Sequence, residues 1–195
     1  VVAASSPTGP AFEGAEISSG QRAAPGAIER VRIDPVTLEP KFRVIGVEKW
    51  SDEEGFAEQA ASVGVTGICG SAIIEVVAEM FLSGIISEDG VIDGAVVERS
   101  PRILQNGRTF SYLLHDGPQR ITVTQNDVRA IQLAKAALYA GIKLLMEKQG
   151  VESVDRICFA GAVGSFIDPK YAMVLGLIRD CDLSKVKAVG NAAGH

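Results

Sequence analysis

The amino-acid sequence predicts an α/β fold in which apolar strands end in glycine-rich loops. Three segments carry this prediction. Ile157–Ala160 is a continuous apolar run that leads directly into the glycines of Gly161–Ser165. A long amphipathic pattern over Gln125–Gln149 precedes that run, and Val186–Val189 is a second apolar run that ends at Gly190–Gly194. Helices and strands that alternate in this way form layered α/β sheets, whose ligands bind where strands end in glycine-rich loops.

Composition limits the class of protein and its partners. The chain has 195 residues, of which 47% are hydrophobic, so it can bury a sizeable core. Its net charge is -5 and no stretch clusters Lys and Arg, which argues against a nucleic-acid partner. No apolar run reaches the roughly 18 residues of a membrane span, and Val1–Ser6 does not read as a signal peptide. We therefore expect a cytoplasmic protein with no membrane partner.

The first part of the chain predicts short strands and turns. Val1–Ala4 resembles the tail of a strand, and Pro10–Ser18 predicts a short helix with proline at its start. Ile28–Ile33 and Phe42–Val47 alternate apolar with other residues, which is the pattern of half-buried strands. Asp34-Pro35 fits the turn between them.

A helix is predicted from about Ala72 to Leu82, with Ser71 as a candidate N-cap and Gly84 as its stop. Its apolar face comprises Ile73, Val76, Val77, Met80 and Phe81. Downstream, Arg108–Leu114 and Arg120–Thr124 predict two strands around a turn that contains His115.

The last third predicts two helices and two strands. Thr124 and Asp127 have the spacing of a capping arrangement at the start of the long helix. The apolar run Ile157–Ala160 is typical of a strand covered on both faces. Asp168-Pro169 predicts the start of a helix that ends near Gly176.

The three cysteines, Cys69, Cys158 and Cys181, are far apart and form no C-x-x-C pair. This usage predicts buried thiols rather than disulfides. An iron–sulfur cluster would normally need four thiolates, so we expect none on this segment.

The glycine loops are the candidate ligand sites. In Gly161–Ser165 two glycines three residues apart allow close approach to the main chain, although the spacing fits neither G-x-G-x-x-G nor a P-loop. Gly67–Ser71 enters a helix whose N-terminus attracts anions. For both segments, and for Gly190–Gly194, a tight turn with close packing is the alternative interpretation.

Side-chain catalysis has few candidates. His115 lies in a turn without a Ser or Asp partner in sequence, so a catalytic histidine is not expected. Glu13 and Asp168 are candidates for contacts to water or a metal ion. The alternatives are an ordinary surface glutamate and a helix N-cap aspartate.

Taken together, the glycine segments resemble motifs of the actin / Hsp70 / sugar-kinase (ASKHA) superfamily. Cys158–Ser165 resembles its adenosine motif, Val189–Gly194 is similar to its second connecting motif at the hinge, and Ser5–Gly14 resembles the loop after its second phosphate motif. The resemblance implies the C-terminal lobe of an ATPase-type domain over residues 1–195. It divides the lobe into an irregular insert at about 28–123 and an adenosine and hinge part at about 124–195.

A narrower resemblance is to the ATP-dependent reductive activators of corrinoid proteins. It is carried by five segments spread over nearly the whole chain: Gly9–Ala15, Gly67–Ser71, Gln132–Ala137, Phe159–Ala162 and Gly190–Gly194. The family implies ATP with Mg²⁺ as cofactor, a corrinoid protein as partner, a possible homodimer, and return of Co(II) corrinoid to Co(I). Its [2Fe-2S] domain and Asp-bearing phosphate motifs would lie upstream of Val1, so ATPase activity is expected only with that part.

The resemblance implies Glu13 as the catalytic residue and assigns no metal ligand. It implies nine cofactor-binding residues: Gly161, Ala162, Val163, Gly164, Gly67, Gly70, Ser71, Gln132 and Lys135. Gln132 and Lys135 would line the adenine, although a solvated helix face is the alternative for Lys135. The adenosine turn departs from relatives at Ala162 and Val163. Two other functions remain open, a non-hydrolysing docking or dimerisation module and a small-molecule kinase.

Overall fold

The computed structural model describes residues 1–161 and 164–190. Its first sheet has the order β2-β1-β3, in which β1 (Ala27–Ile33) pairs antiparallel with β2 (Pro40–Val44) and parallel with β3 (Gly67–Ile68). Both predicted strands are confirmed, but β2 ends at Val44 rather than Val47. Val1–Ala4, predicted as the tail of a strand, are not in a strand and pair with none of the strands formed by residues 1–161 and 164–190.

Helices α1 (Phe56–Ala60) and α2 (Gly70–Leu82) flank this sheet. The predicted α2 face is buried except for Phe81, which is 37% exposed, and Gly84 ends the helix with φ 73°. The predicted cap is wrong: Cys69 is the N-cap and Ser71 lies inside the helix. The helix begins two residues earlier than its apolar pattern indicates, and its first residue, Gly70, packs against the carbonyl of Phe12.

Three side chains of α2 form hydrogen bonds to the backbone of β1, along the part of its edge that does not pair with β3. The Ser71 hydroxyl donates to the carbonyl of Glu29 at 3.1 Å. Glu75 accepts from the N–H of Val31 at 3.0 Å, and Glu79 from that of Ile33 at 2.9 Å. The three side chains are spaced four residues apart on the helix, which is about 6 Å, and their partners are spaced two residues apart on the strand, which is about 6.6 Å. The two spacings nearly match, so each side chain meets its partner. The helix thus replaces a neighbouring strand along this edge.

Charged groups complete this contact. Glu75 is fully buried and accepts from Arg30 at 2.5 Å and from Arg32 at 2.7 Å. Glu79 accepts from the hydroxyl of Tyr171 at 2.5 Å. Burial and the Glu79 hydrogen bond raise the pKa of Tyr171 above its ordinary value. Glu79 therefore joins β1 to the helix that carries Tyr171, whereas the partners of Glu75 all lie on β1.

The second sheet is antiparallel and has the order β4-β5-β6, formed by β4 (Ile103–Asn106), β5 (Thr109–His115) and β6 (Ile121–Thr124). The predicted pair β5 and β6 is confirmed. The buried Tyr112 hydroxyl donates to the carbonyl of Leu38 at 2.9 Å, which attaches this sheet to the β1–β2 turn.

Helix α3 (Gln125–Gln149) begins at the predicted capping box. Thr124 accepts from the Asp127 N–H, and Asp127 accepts in return from the Thr124 N–H at 2.7 Å. Asp127, which is 2% exposed, also accepts from the N–H of Ser18 at 2.8 Å and its hydroxyl at 2.9 Å. The start of α3 therefore holds the N-terminal segment in place. Although α3 is long, no helix in the described ranges is long and apolar enough to cross a bilayer.

The last sheet pairs β7 (Ile157–Phe159) with β8 (Val186–Ala188) in parallel. Helix α4 (Pro169–Val174) lies between them in sequence and is capped as predicted, since Asp168 accepts from the Lys170 N–H at 2.9 Å. The expectation that β7 is covered on both faces is wrong. Cys158 is exposed between the half-buried Ile157 and Phe159, so only one face of β7 is packed. In β8 the buried residue is Val186.

The cysteines differ in burial. Cys69 is buried, Cys181 is half-buried and Cys158 is exposed, and none of them is in a disulfide. The prediction of buried thiols is therefore correct for Cys69 and wrong for Cys158. Cys158 is exposed because it lies on the open face of β7.

The protein should lose stability as the pH falls below 6.5, in part because of His115. Burial lowers the pKa of His115 from 6.5, Arg102 lowers it further, and Asp116 opposes the shift. Between pH 6.5 and the lower pKa of the folded state, only the unfolded chain binds the proton. The contribution of His115 to the free energy of unfolding is therefore complete above pH 6.5 and is lost as the pH falls from 6.5 to the folded-state pKa. Urea denaturation at about pH 7.5 and pH 5 should show a smaller decrease in His115→Gln. Equal decreases in the two proteins would contradict this account.

Candidate functional site

An open pocket of about 470 Å³ lies between the 3-10 helix Ala11–Glu13, the start of α2 and the 3-10 helix Gly164–Phe166. Its walls are largely apolar, with Phe12 and Ile45 on one side and Phe166 on another. Glu13, Gln21 and Arg22 supply polar groups, and Cys69, Gly70 and Ser71 contribute the start of α2. The predicted Glu13, Gly70 and Ser71 therefore share one pocket.

The floor of the pocket depends on close backbone contacts. A Cβ atom on Gly70 would overlap the carbonyl oxygen of Phe12, and a Cβ atom on Gly67 would lie 2.6 Å from Oε1 of Gln21. A Cβ atom on Gly20 would likewise overlap the carbonyl oxygen of Gly14. These glycines are needed for packing, which is the alternative that the sequence left open for Gly67 and Gly70. This packing positions Glu13 at the pocket.

Ser71, at the start of α2, lines the pocket, but its side chain is directed to β1. Its hydroxyl donates to Glu29 and lies 3.4 Å from the Cys69 sulfur, so it is already engaged. The first N–H groups of a helix have no intrahelical acceptor and carry the positive end of the helix dipole. Gly70 and Ser71 therefore contribute backbone rather than side-chain chemistry.

Arg22 and Phe166 are pocket residues that sequence reasoning missed. Arg22 is exposed, and within the described part of the chain its guanidinium has no ion-pair partner. Phe166 is 62% exposed and lines the pocket with its aromatic side chain. Neither stands in a recognisable motif. The one available signal was the position of Phe166 directly after the Gly161–Ser165 loop.

The two glycine turns that follow β7 and β8 lie side by side. The N–H of Gly161 donates to the carbonyl of Gly190 at 2.8 Å, and that of Val189 to Phe159 at 2.8 Å. Gly161 has φ 100°, a conformation that L side chains rarely adopt, and among residues 1–161 and 164–190 a Cβ atom there would have no neighbour within 4 Å. Gly164 begins the next 3-10 helix. Ala162, Val163 and residues 191–195 lie outside the described residues.

Gln132 and Lys135 are placed apart from this pocket. They line a smaller cavity of about 130 Å³ between α2, α3 and α4. Gln132 donates to the carbonyl of Asp89 at 3.0 Å and accepts from Arg129 at 2.5 Å. Lys135 lies beside Gly176, just beyond the end of α4. The structure therefore brings neither residue together with Glu13.

The described residues hold no cluster of three or more His, Cys, Asp or Glu side chains that would bind a metal ion by themselves. Mg²⁺ in nucleotide sites usually takes only one or two carboxylates, with phosphate and water as its other ligands. Glu13 is the carboxylate among the pocket-lining residues.

Comparison with known proteins gives consistent matches. Residues 1–195 match the family described as the C-terminal domain of RACo, the ASKHA domain. The chain is 34% identical to the corrinoid activation enzyme RamQ of Eubacterium limosum, over 98% of this chain and 31% of that protein. It is 27% identical to the [Co(II) methylated amine-specific corrinoid protein] reductase of Methanosarcina barkeri, over 90% of this chain and 31% of the relative.

A solved structure agrees with these matches. It is of a reductive activator for corrinoid, iron-sulfur protein, and it superposes with a TM-score of 0.77 at 33% identity. The match covers 94% of this chain and 28% of the other. The chain thus spans less than a third of the length of each of these proteins.

Proposed function

Because this chain belongs to the family of C-terminal ASKHA domains of RACo, we propose that it forms one wall of the nucleotide cleft of an ATP-dependent reductive activator. The activator returns Co(II) corrinoid protein to Co(I). Two relatives, a corrinoid activation enzyme and a Co(II) corrinoid protein reductase, support this partner and this reaction by what they act on. The rest of the cleft and the [2Fe-2S] cluster belong to other parts of the longer activator.

The observation that carries the proposal is the pocket that Glu13, the start of α2 and Phe166 share. Its volume of about 470 Å³ lies within the range of small-molecule sites, roughly 300–1,000 Å³. Phe166 directly follows the loop that resembles the adenosine motif. A nucleotide here would therefore contact the Glu13 turn and Phe166, the residue that directly follows that loop.

The groups of this pocket suit an anionic, partly aromatic ligand. Arg22 supplies a guanidinium that can pair with phosphate oxygens, and the first N–H groups of α2 have the same preference. Phe166 offers an apolar face for a base. Bound Mg²⁺ would neutralise phosphate charge, and Glu13 is the pocket carboxylate that would hold it, directly or through a water. The residues present thus fit one side of an ATP site.

Nucleotide affinity should depend on Gly161. Valine at this position must adopt φ near 100°, where side chains are strained, so the turn beside Gly190 will change course. We expect Gly161→Val to weaken ATP and ADP binding by at least about tenfold in isothermal titration calorimetry. The longer activator and the 195-residue chain are titrated in parallel, and the chain alone is expected to bind more weakly.

Gly107→Val is the matched control. Gly107 also has a positive φ, 61°, and open space around its Cα, but it lies in the β4–β5 turn. It should keep the affinity of the wild type. If the longer protein binds neither ATP nor ADP, the nucleotide proposal fails, and a docking module of the same fold becomes the better account. Equal affinity of the Gly161 variant and the wild type would remove the adenosine turn from the site.

A further inference from the structure

A second open cavity, of about 720 Å³, lies between α1, β2 and the turn that joins β5 to β6. Its volume falls within the range of small-molecule sites, roughly 300–1,000 Å³. Its walls are largely apolar and include Pro40, Phe42, Phe56 and Pro118. None of the residues that line it also lines the Glu13 pocket, so the cavity is separate from the proposed nucleotide site.

His115 lines this cavity with hydrogen-bonding groups that the protein does not use. The imidazole is half-buried, and within residues 1–161 and 164–190 neither ring nitrogen has a hydrogen-bond partner. A Cβ atom on Gly117 would overlap Nε2 of His115, so the glycine leaves the space beside this nitrogen open. Burial lowers the pKa of His115, so near pH 7 the ring is neutral, with one nitrogen that accepts and one that donates. We call this space the His115 cavity.

Three rings lie together at the His115 cavity. Phe42 is edge-on to His115 and to Phe56, with ring centroids 5.5 Å and 5.9 Å apart. Phe42 is 4% exposed, whereas the other two rings are half-buried and can be reached by a ligand. Aromatic rings favour edge-on or offset neighbours at about 4.5–7 Å. An aromatic ligand therefore matches these walls.

The charged groups that line the cavity already have partners. Arg102 donates from Nε and Nη2 to Glu39 at 3.0 Å and 2.7 Å, and Asp116 accepts from Arg120 at 3.1 Å. A charged ligand would bring one more charge without a partner, which is costly to bury. The lining therefore favours an uncharged ligand.

We propose that the His115 cavity binds a small uncharged aromatic molecule that carries a hydroxyl or N–H group. The ring of the ligand packs against Phe56 and the His115 ring, and its polar hydrogen is donated to the imidazole. The remaining walls are apolar and exclude water from the ligand ring. Because the cavity shares no residue with the Glu13 pocket, this inference does not depend on the proposed function.

Phenol is the probe, and the imidazole signals of the protein are the readout. The sequence has two histidines, His115 and His195, so their ring carbons give two signals in a proton–carbon NMR spectrum, which His115→Gln assigns. Titration with phenol should shift the His115 signal to saturation, with a Kd of about 1 mM for so small a ligand. A His115 signal that does not move would overturn the site.

Two further probes test the chemical class of the ligand. Anisole has the same ring but no polar hydrogen, and it should bind about fivefold more weakly than phenol, which is the effect of one hydrogen bond. Benzoate should bind more weakly still, because Glu39 already occupies the Arg102 guanidinium. In His115→Phe, followed through the amide signals of α1, phenol and anisole should bind equally. A preference for phenol that survives in this variant would overturn the role of the imidazole, and tighter binding of benzoate would overturn the uncharged class.

Ala61→Trp tests the location. Ala61 is exposed at the cavity, so the protein should tolerate tryptophan there, and the new side chain would fill the space. Ala136→Trp is the matched control, because Ala136 is exposed on α3 and does not line the cavity. Phenol binding should be lost in the first variant and unchanged in the second, and thermal denaturation followed by circular dichroism checks that both are folded. Binding that persists in Ala61→Trp, or that is lost in Ala136→Trp, would overturn the assignment to this cavity.

Discussion

Replacing Gly70 by alanine is expected to lower the free energy of unfolding by about 3 kcal/mol and to distort the Glu13 pocket. The added Cβ would overlap the carbonyl oxygen of Phe12. Neither atom belongs to a flexible side chain, so relief requires movement of the 3-10 helix Ala11–Glu13 or of the α2 start. Either movement changes the distance between Glu13 and the start of α2, which share the pocket.

Urea denaturation at several concentrations measures the stability loss, and Gly84→Ala supplies the comparison. Gly84 has φ 73° but no atom within 4 Å of its Cβ position, so this change should cost only the left-handed strain, about 1 kcal/mol. Equal losses in the two variants would show that the Phe12 contact is not limiting. Under the nucleotide proposal, Gly70→Ala should also weaken ATP binding, while Gly84→Ala should not.

Replacing Glu75 by alanine should cost about 3–4 kcal/mol, because one buried carboxylate serves three donors. Arg30, Arg32 and the N–H of Val31 all lose their acceptor. The two arginines are about one third exposed and can recover water, which keeps the loss below that of a fully buried pair. The Val31 N–H is buried, so it cannot form a hydrogen bond to water when Glu75 is lost.

Two further variants separate the contributions of the Glu75 charge and of the Tyr171–Glu79 hydrogen bond to stability. Glu75→Gln keeps an acceptor for Val31 and should lose less stability than alanine. Tyr171→Phe removes one hydrogen bond to Glu79 and should cost about 1–2 kcal/mol. Chemical denaturation measures the free energy of unfolding of these variants. Lys41→Ala is the reference for a surface pair, because the exposed ion pair of Lys41 with Asp52 should contribute almost nothing to stability. A loss for Glu75→Ala no larger than that for Lys41→Ala would contradict the buried-carboxylate account.

Helix α3 was the most predictable element, because its signals are local. Thr124 and Asp127 lie three residues apart, and the helix ends at Gly150 in the left-handed conformation. The β5–β6 hairpin is local in the same sense. By contrast, the exposure of Cys158 depends on which strands lie beside β7, and the sequence of β7 does not contain that information.

The candidate site was predictable only in part. Glu13, Gly70 and Ser71 were singled out, and they meet in one pocket. Gln132 was assigned to adenine from its helix position, yet its amide contacts the carbonyl of Asp89, more than forty residues away in sequence. A helix pattern tells which residues share a face but not which loop covers that face. Arg22 was missed for the same reason, since its position at the pocket is a long-range property.

The contact between α2 and β1 also affects the tendency to aggregate. An open strand edge presents unpaired N–H and C=O groups that can recruit another chain into a growing sheet. Along β1 beyond Ile28 those groups bond to Ser71, Glu75 and Glu79, which belong to a helix and offer no further edge. The short β3 is therefore sufficient, and the protein avoids intermolecular strand addition at the centre of its first sheet.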